Sequence, residues 1–133
     1  MVFWIIEDLG TVALLEPDED GTLVFDVRDI VDGKNNTPEY PLERVVRKFK
    51  SLVGTYYSNT PYGFRTAIRC RMGISRSNAF AAALIAFINK TDFEDGLNIV
   101  KSKVLRANPN MDIIDDVKYA LTQFRPEYRP SWS

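Results

Sequence analysis

"IRCRMGISRSNAF", residues 68–80, places the only cysteine of the chain between a strand-like run and a helix-like run, in a protein that has no histidine. On the upstream side "RTAI" (65–68) reads as a short strand. On the downstream side "SNAFAAALIAFINK" (77–90) is apolar on nearly every side, the mark of a buried helix. Residues 71–76 then form the tight turn between them, and their amides can curl around an anion in front of a helix N-terminus. Gly73 permits a positive φ or a close backbone approach midway round that turn. Arg76, six residues after Cys70, returns to the loop mouth, where its planar fork can grip two oxygens of a tetrahedral oxyanion. A thiol attacks only as thiolate, and a helix N-terminus, arginine and inward-pointing amides all favour that form. The loop thus does the work that an imidazole would otherwise do. Ser77 can hydrogen-bond the sulfur, cap the helix, or do both with one hydroxyl.

Outward from this stretch, 133 residues suffice for one hydrophobic core and are too few for two. We therefore expect a single domain over 1–133, with 125–133 as an irregular tail. One cysteine rules out an internal disulfide, and its combination with zero histidines rules out the common zinc sites and a cysteine–histidine protease. The apolar start "MVFWII" runs straight into Glu7 and Asp8, which fits neither a signal peptide nor a membrane span and predicts a cytoplasmic protein. The net charge of −1 argues against a dedicated nucleic-acid binder. That balance hides an asymmetry: residues 1–40 hold ten acidic against two basic side chains, whereas 41–90 hold one against nine. The basic segment is the one that contains Cys70.

The remaining pattern predicts strands at "FWII" (3–6), "TVALL" (11–15) and "TLVFDVRDIV" (22–31), the last buried along its length. From Pro41 the period changes. Leu42, Val45, Val46, Phe49, Leu52 and Val53 recur at three-and-four spacing, an amphipathic helix. Thr91 and Glu94 have capping-box spacing for a third helix directing Phe93, Leu97, Val100 and Val104 inward. Ile113, Ile114, Val117, Leu121 and Phe124 mark a fourth, with Asn110 as its cap. Strands early, helices late and a strand–loop–helix in the middle predict an α/β domain with a small, mostly parallel central sheet flanked by helices.

The run "CRMGISRS" (70–77) resembles the C-x-x-G-x-S-R-S signature of cysteine-dependent protein phosphatases of the dual-specificity type. A looser resemblance extends from about Leu23 to Phe124 and includes "NPNMDIIDDVKYAL", which is similar to the family's helical ending; compact archaeal members are the nearest in size. This implies a phosphatase-like fold with a shortened N-terminal part. It also implies hydrolysis of phosphotyrosine, with phosphoserine and phosphothreonine as further substrates, through a cysteinyl-phosphate. The roles it gives are Cys70 as nucleophile, Arg76 as phosphoryl clamp and Ser77 as the hydroxyl that assists phosphoenzyme hydrolysis, with Arg71, Met72, Gly73, Ile74 and Ser75 around the bound phosphate. It implies no metal, no cofactor, a phosphorylated protein as partner, and a monomer. The family's acid is an aspartate on an upstream loop: Asp32, before Gly33 in a polar loop, is favoured, Asp29 is the reserve, and Asp26 lies within the strand pattern. The family has histidine immediately before the nucleophile, where this chain has Arg69. That departure keeps open an alternative, a weak or inactive phosphatase-like module that binds phosphorylated partners.

Overall fold

A computed structural model of the protein describes residues 2–14 and 19–124. In chain order its elements are β1 (Phe3–Ile6), β2 (Leu9–Ala13), β3 (Thr22–Asp26), α1 (Leu42–Asn59), β4 (Arg65–Cys70), α2 (Arg76–Asn89), α3 (Phe93–Lys103) and α4 (Met111–Phe124), with a single 3₁₀ turn, Thr60–Tyr62, after α1. The expected tail 125–133 lies outside the described residues. No described helix is long and apolar enough to cross a membrane.

The sheet has the order β1-β2-β4-β3. β4 lies between two parallel neighbours, with Ala13 opposite Cys70 on one side and Asp26 opposite Arg69 on the other, while β1 joins β2 as an antiparallel edge. A parallel centre requires crossovers, and α1 supplies the one that links β3 to β4. Alternation along β4 sends Thr66, Ile68 and Cys70 to one face of the sheet and Ala67 and Arg69 to the other. The main core lies on the Cys70 face and draws buried side chains from all four helices, among them Phe49, Leu52, Phe80, Leu84, Val100, Val117 and Leu121. On the opposite face, Val2, Val12 and Ala67 form a small separate cluster with Trp4. The α/β architecture is therefore as the sequence predicts.

Three boundaries differ from the sequence reading, each for a local reason. The third strand stops at Asp26, five residues short of the expected end. There the Asp26 carboxylate accepts the Arg28 backbone N–H at 2.9 Å, and the Ile30 N–H turns back to the Val27 carbonyl; an Asp side chain that captures a backbone donor two residues on competes with the ladder. The second strand runs from Leu9 to Ala13 instead of starting at Thr11, because its parallel pairing with β4 begins at Leu9 opposite Thr66. The cap of α3 is Asp92, whose side chain accepts from the Asp95 N–H at 3.0 Å, and not Thr91. The Thr91 N–H is already used to close α2 on the Ala86 carbonyl, behind a left-handed Lys90, so the cap passes to the next residue.

Candidate active site

Cys70 is the last residue of the central strand, and α2 begins six residues later. Its Sγ is buried, 3.2 Å from the Oγ of a fully buried Ser77 in the first turn of that helix. Residues 71–75 arch between them, and the arch is fixed through its carbonyls. The Arg71 carbonyl accepts the Leu14 N–H at 3.0 Å, the Ile74 carbonyl accepts the Asn108 N–H at 2.9 Å, and the Ser75 carbonyl accepts the Ala79 N–H at 3.0 Å. Asn78, fully buried, donates its side-chain amide to the carbonyls of both Gly73 and Ile74, at 2.9 and 3.0 Å. In a planar trans peptide the C=O of one residue and the N–H of the next point in opposite directions. Carbonyls of 71, 73, 74 and 75 held outward therefore turn the amides of 72, 74, 75 and 76 toward the inner side of the loop. None of these amides donates to another described residue.

Gly73 has φ +70°, the left-handed region that glycine enters without strain. A side chain there would also meet Arg106, whose Nη2 would lie 2.8 Å from the added Cβ. That guanidinium stacks over the Phe3 ring, 4.6 Å from its centroid, and brings a cation to the back of the loop.

Arg76 donates through Nη1 to the carbonyls of Arg28 and Ile30, each at 2.9 Å. It thereby ties the 71–75 loop to the segment that follows β3. On that segment Asp32 meets the loop directly: Ser75 Oγ donates to Asp32 Oδ1 at 2.6 Å and accepts the Asn110 N–H at 2.8 Å. Asn110 also accepts the Asp112 N–H through its side chain at the start of α4. Cys70, Arg76 and Asp32 share one open cavity of about 470 Å³, with Arg71, Met72, Ile74, Ser75 and the 108–110 turn on its walls. Met72 is exposed at the rim.

The competing aspartates lie elsewhere. Asp29 pairs with Lys48 at 2.9 Å. Asp26 is bound by the Arg28 guanidinium, which holds its carboxyl below the ordinary carboxylate range against the opposing effect of burial, with Arg69 adding a smaller share. Arg69 thus acts on the sheet face away from Cys70 and takes no part in the cradle around the sulfur. The sequence reading missed Asn78, whose signal was an amide inside an otherwise apolar helix. It also missed Asn35 and Asp116, which no local pattern connects.

The sequence matches no family profile, and no curated protein matches it. Its fold, by contrast, is shared with dual-specificity and tyrosine phosphatases of known structure. The leucine rich repeat and phosphatase domain containing protein from Entamoeba histolytica superposes with a TM-score of 0.77 at 10% identity, over 96% of this chain and 94% of that one. DUSP15 gives 0.70 at 17% identity, over 99% and 98%. The human tyrosine phosphatase-like serine/threonine/tyrosine-interacting protein gives 0.68 at 15%, over 96% and 97%. At such identities the likeness establishes the fold, which is that of the dual-specificity phosphatases.

Proposed function

We propose that this protein hydrolyses phosphomonoesters on protein tyrosine, and on serine and threonine, through a cysteinyl-phosphate intermediate. One observation carries the reading: the outward-held carbonyls of residues 71, 73, 74 and 75 turn a set of amides that donate to no other described residue to the inside of a loop that has the Cys70 sulfur at its start and Arg76 at its end. Such a cradle stabilises a thiolate and a phosphoryl group by the same electrostatics, and phosphoryl transfer needs little beyond positioning and charge stabilisation.

In the first step Cys70 Sγ attacks phosphorus as the P–O bond to the substrate breaks, and Asp32 gives its proton to the departing oxygen. In the second, water attacks phosphorus, the P–S bond breaks, Asp32 takes the water's proton and phosphate leaves. Ser77 then donates to the departing sulfur, consistent with its 3.2 Å separation. The Arg76 fork spans the phosphoryl oxygens with the N–H groups not committed to the Arg28 and Ile30 carbonyls. The phosphatase fold of the structural neighbours supports the same chemistry.

Purified protein is expected to release phosphate from p-nitrophenyl phosphate in the presence of a chelator, and Cys70→Ser to abolish it. Activity surviving in Cys70→Ser, or absent from the wild type, defeats the reading; in the second case, retained binding of phosphotyrosyl peptide would favour the binding-module alternative.

A further inference from the structure

Between Ile30 and Val45 the chain buries a single residue, and it is polar: Asn35, 1% exposed. This segment carries Asp32, so the acid loop is anchored by hydrogen bonds and not by an apolar plug. The Asn35 side chain fills the inside of the turn. Its Oδ1 accepts the Val31 N–H at 3.3 Å, and its Nδ2 donates to the carbonyls of Val31 and Gly33, at 3.2 and 3.3 Å. These are the two residues that flank Asp32. Asn35 is in turn held by Asp116 of α4, a residue 81 positions away and 9% exposed, whose Oδ2 accepts both the Asn35 backbone N–H and its Nδ2, each at 2.9 Å. Nδ2 has two hydrogens for three acceptors, so one is shared.

We propose that Asp116 is a positioning residue for the general acid, acting through Asn35 to fix the backbone on both sides of Asp32. The proposal rests on the phosphatase reading above and adds to it the element that aims the acid. α4 reaches Asp32 by two routes. Its cap, Asn110, fixes Ser75, which binds the carboxylate; its second turn, through Asp116, fixes the peptide units on which that carboxylate is carried. A proton donor must lie within hydrogen-bond reach of the departing oxygen, so a loop displaced by an ångström costs acid catalysis while leaving the nucleophile and phosphate cradle intact.

The leaving group reports this separately from folding. Phenyl phosphate needs a proton on its departing oxygen, whereas dinitrophenyl phosphate leaves as a stable anion. In the full chain, Asp32→Ala is expected to lower kcat on phenyl phosphate by about 10²–10⁴-fold, the usual worth of a positioned acid. Asp116→Ala is expected to lower it at least about 10-fold, with KM and dinitrophenyl phosphate turnover within about threefold, and Asp116→Asn, which keeps an acceptor oxygen, to restore most of the loss. Combining Asp116→Ala with Asp32→Ala should cost no more than Asp32→Ala alone, because both remove one function. Asn35→Ala breaks the same link from the loop side and serves if Asp116→Ala does not fold. Equal losses on the two esters, additivity with Asp32→Ala, or Asp116→Asn as impaired as alanine overturns the proposal. Should Asp32→Ala itself treat the two esters alike, the acid assignment falls and takes the relay with it. If Asp32→Ala discriminates and neither Asp116→Ala nor Asn35→Ala does, only the relay falls.

Discussion

Ser75 Oγ donates to Asp32 Oδ1 across 2.6 Å, so the loop beside the thiol and the loop that follows β3 are docked on each other. The Asn110 N–H occupies a lone pair of the same hydroxyl, which directs the Ser75 proton to Asp32. Asp29 has no such route to the cavity, since its carboxylate is engaged by Lys48 at 2.9 Å.

Substitution of these two aspartates should therefore separate them. Asp32→Ala is expected to lower kcat toward phosphotyrosyl peptide by about 10²–10⁴-fold with KM changed only a few-fold, and Asp29→Ala to stay within about threefold of wild type in both constants. Steady-state kinetics on the two variants decides the matter, and the reverse pattern would move the acid to Asp29.

Binding and chemistry should also come apart at the cradle. In the proposed mechanism its amides and Arg76 hold the anion, while the sulfur forms the bond. Cys70→Ser is thus expected to bind tungstate within about an order of magnitude of wild type while turning over nothing. Arg76→Lys is expected to weaken tungstate and slow turnover together, by about 10²-fold or more in kcat/KM, because a point charge reproduces neither a two-pronged grip nor the bridge to the Arg28 and Ile30 carbonyls. Calorimetric titration with tungstate tests both, and tungstate affinity unchanged in Arg76→Lys would remove the clamp role.

How much of this was legible beforehand follows from how local each signal is. The loop was readable because cysteine, glycine, arginine and serine fall within eight residues, and α1 because Val45, Phe49, Leu52 and Val53 repeat at the helical period and are buried as that period requires. The end of β3 was misread because Asp26 terminates it through a hydrogen bond to its own chain, and apolar residues continue past that point to Ile30 for a different reason, burial of the loop in the core. Asn35 and Asp116 were invisible for the opposite reason. Their bond joins segments 81 positions apart, and no local pattern links the one to the other.

Two glycines should respond in opposite directions to the same change. Gly96 in α3 packs on α2 so closely that an added Cβ would overlap the Ala82 carbonyl, with the Ala86 nitrogen at 3.1 Å. Neither backbone can move without shifting a helix, so Gly96→Ala is expected to destabilise by about 3 kcal/mol. Gly54 lies on the exposed side of α1 with nothing within 4 Å of the same position. Gly54→Ala removes backbone freedom from the unfolded chain at no steric cost and should stabilise by about 0.5–1 kcal/mol. Urea unfolding of the pair measures both signs, and a neutral Gly96→Ala would contradict the α2–α3 contact.

Stability at high pH should depend on the join between α1 and the β1–β2 turn. Tyr56, buried in α1, donates its hydroxyl to Asp8 Oδ1 at 2.7 Å. Burial first, and then the Asp8 carboxylate as hydrogen-bond acceptor and as negative charge, oppose ionisation of the phenol and raise its pKa well above the ordinary 10.0. In the unfolded chain the same phenol releases its proton near that ordinary value. Above about pH 10 the unfolded state then binds fewer protons than the folded one, so rising pH favours unfolding. The stabilisation supplied by Tyr56 is accordingly complete below about pH 10 and is lost as pH rises through the folded value, at up to about 1.4 kcal/mol per pH unit for a single proton. Tyr56→Phe removes both the hydrogen bond and the titration. It should cost about 1–2 kcal/mol at neutral pH, and its deficit relative to wild type should hold steady up to about pH 9 and shrink beyond about pH 10. Denaturant unfolding of the two proteins across that range measures the gap, and a deficit that stays constant to high pH would mean that the Asp8 carboxylate does not hold the phenol's proton in solution.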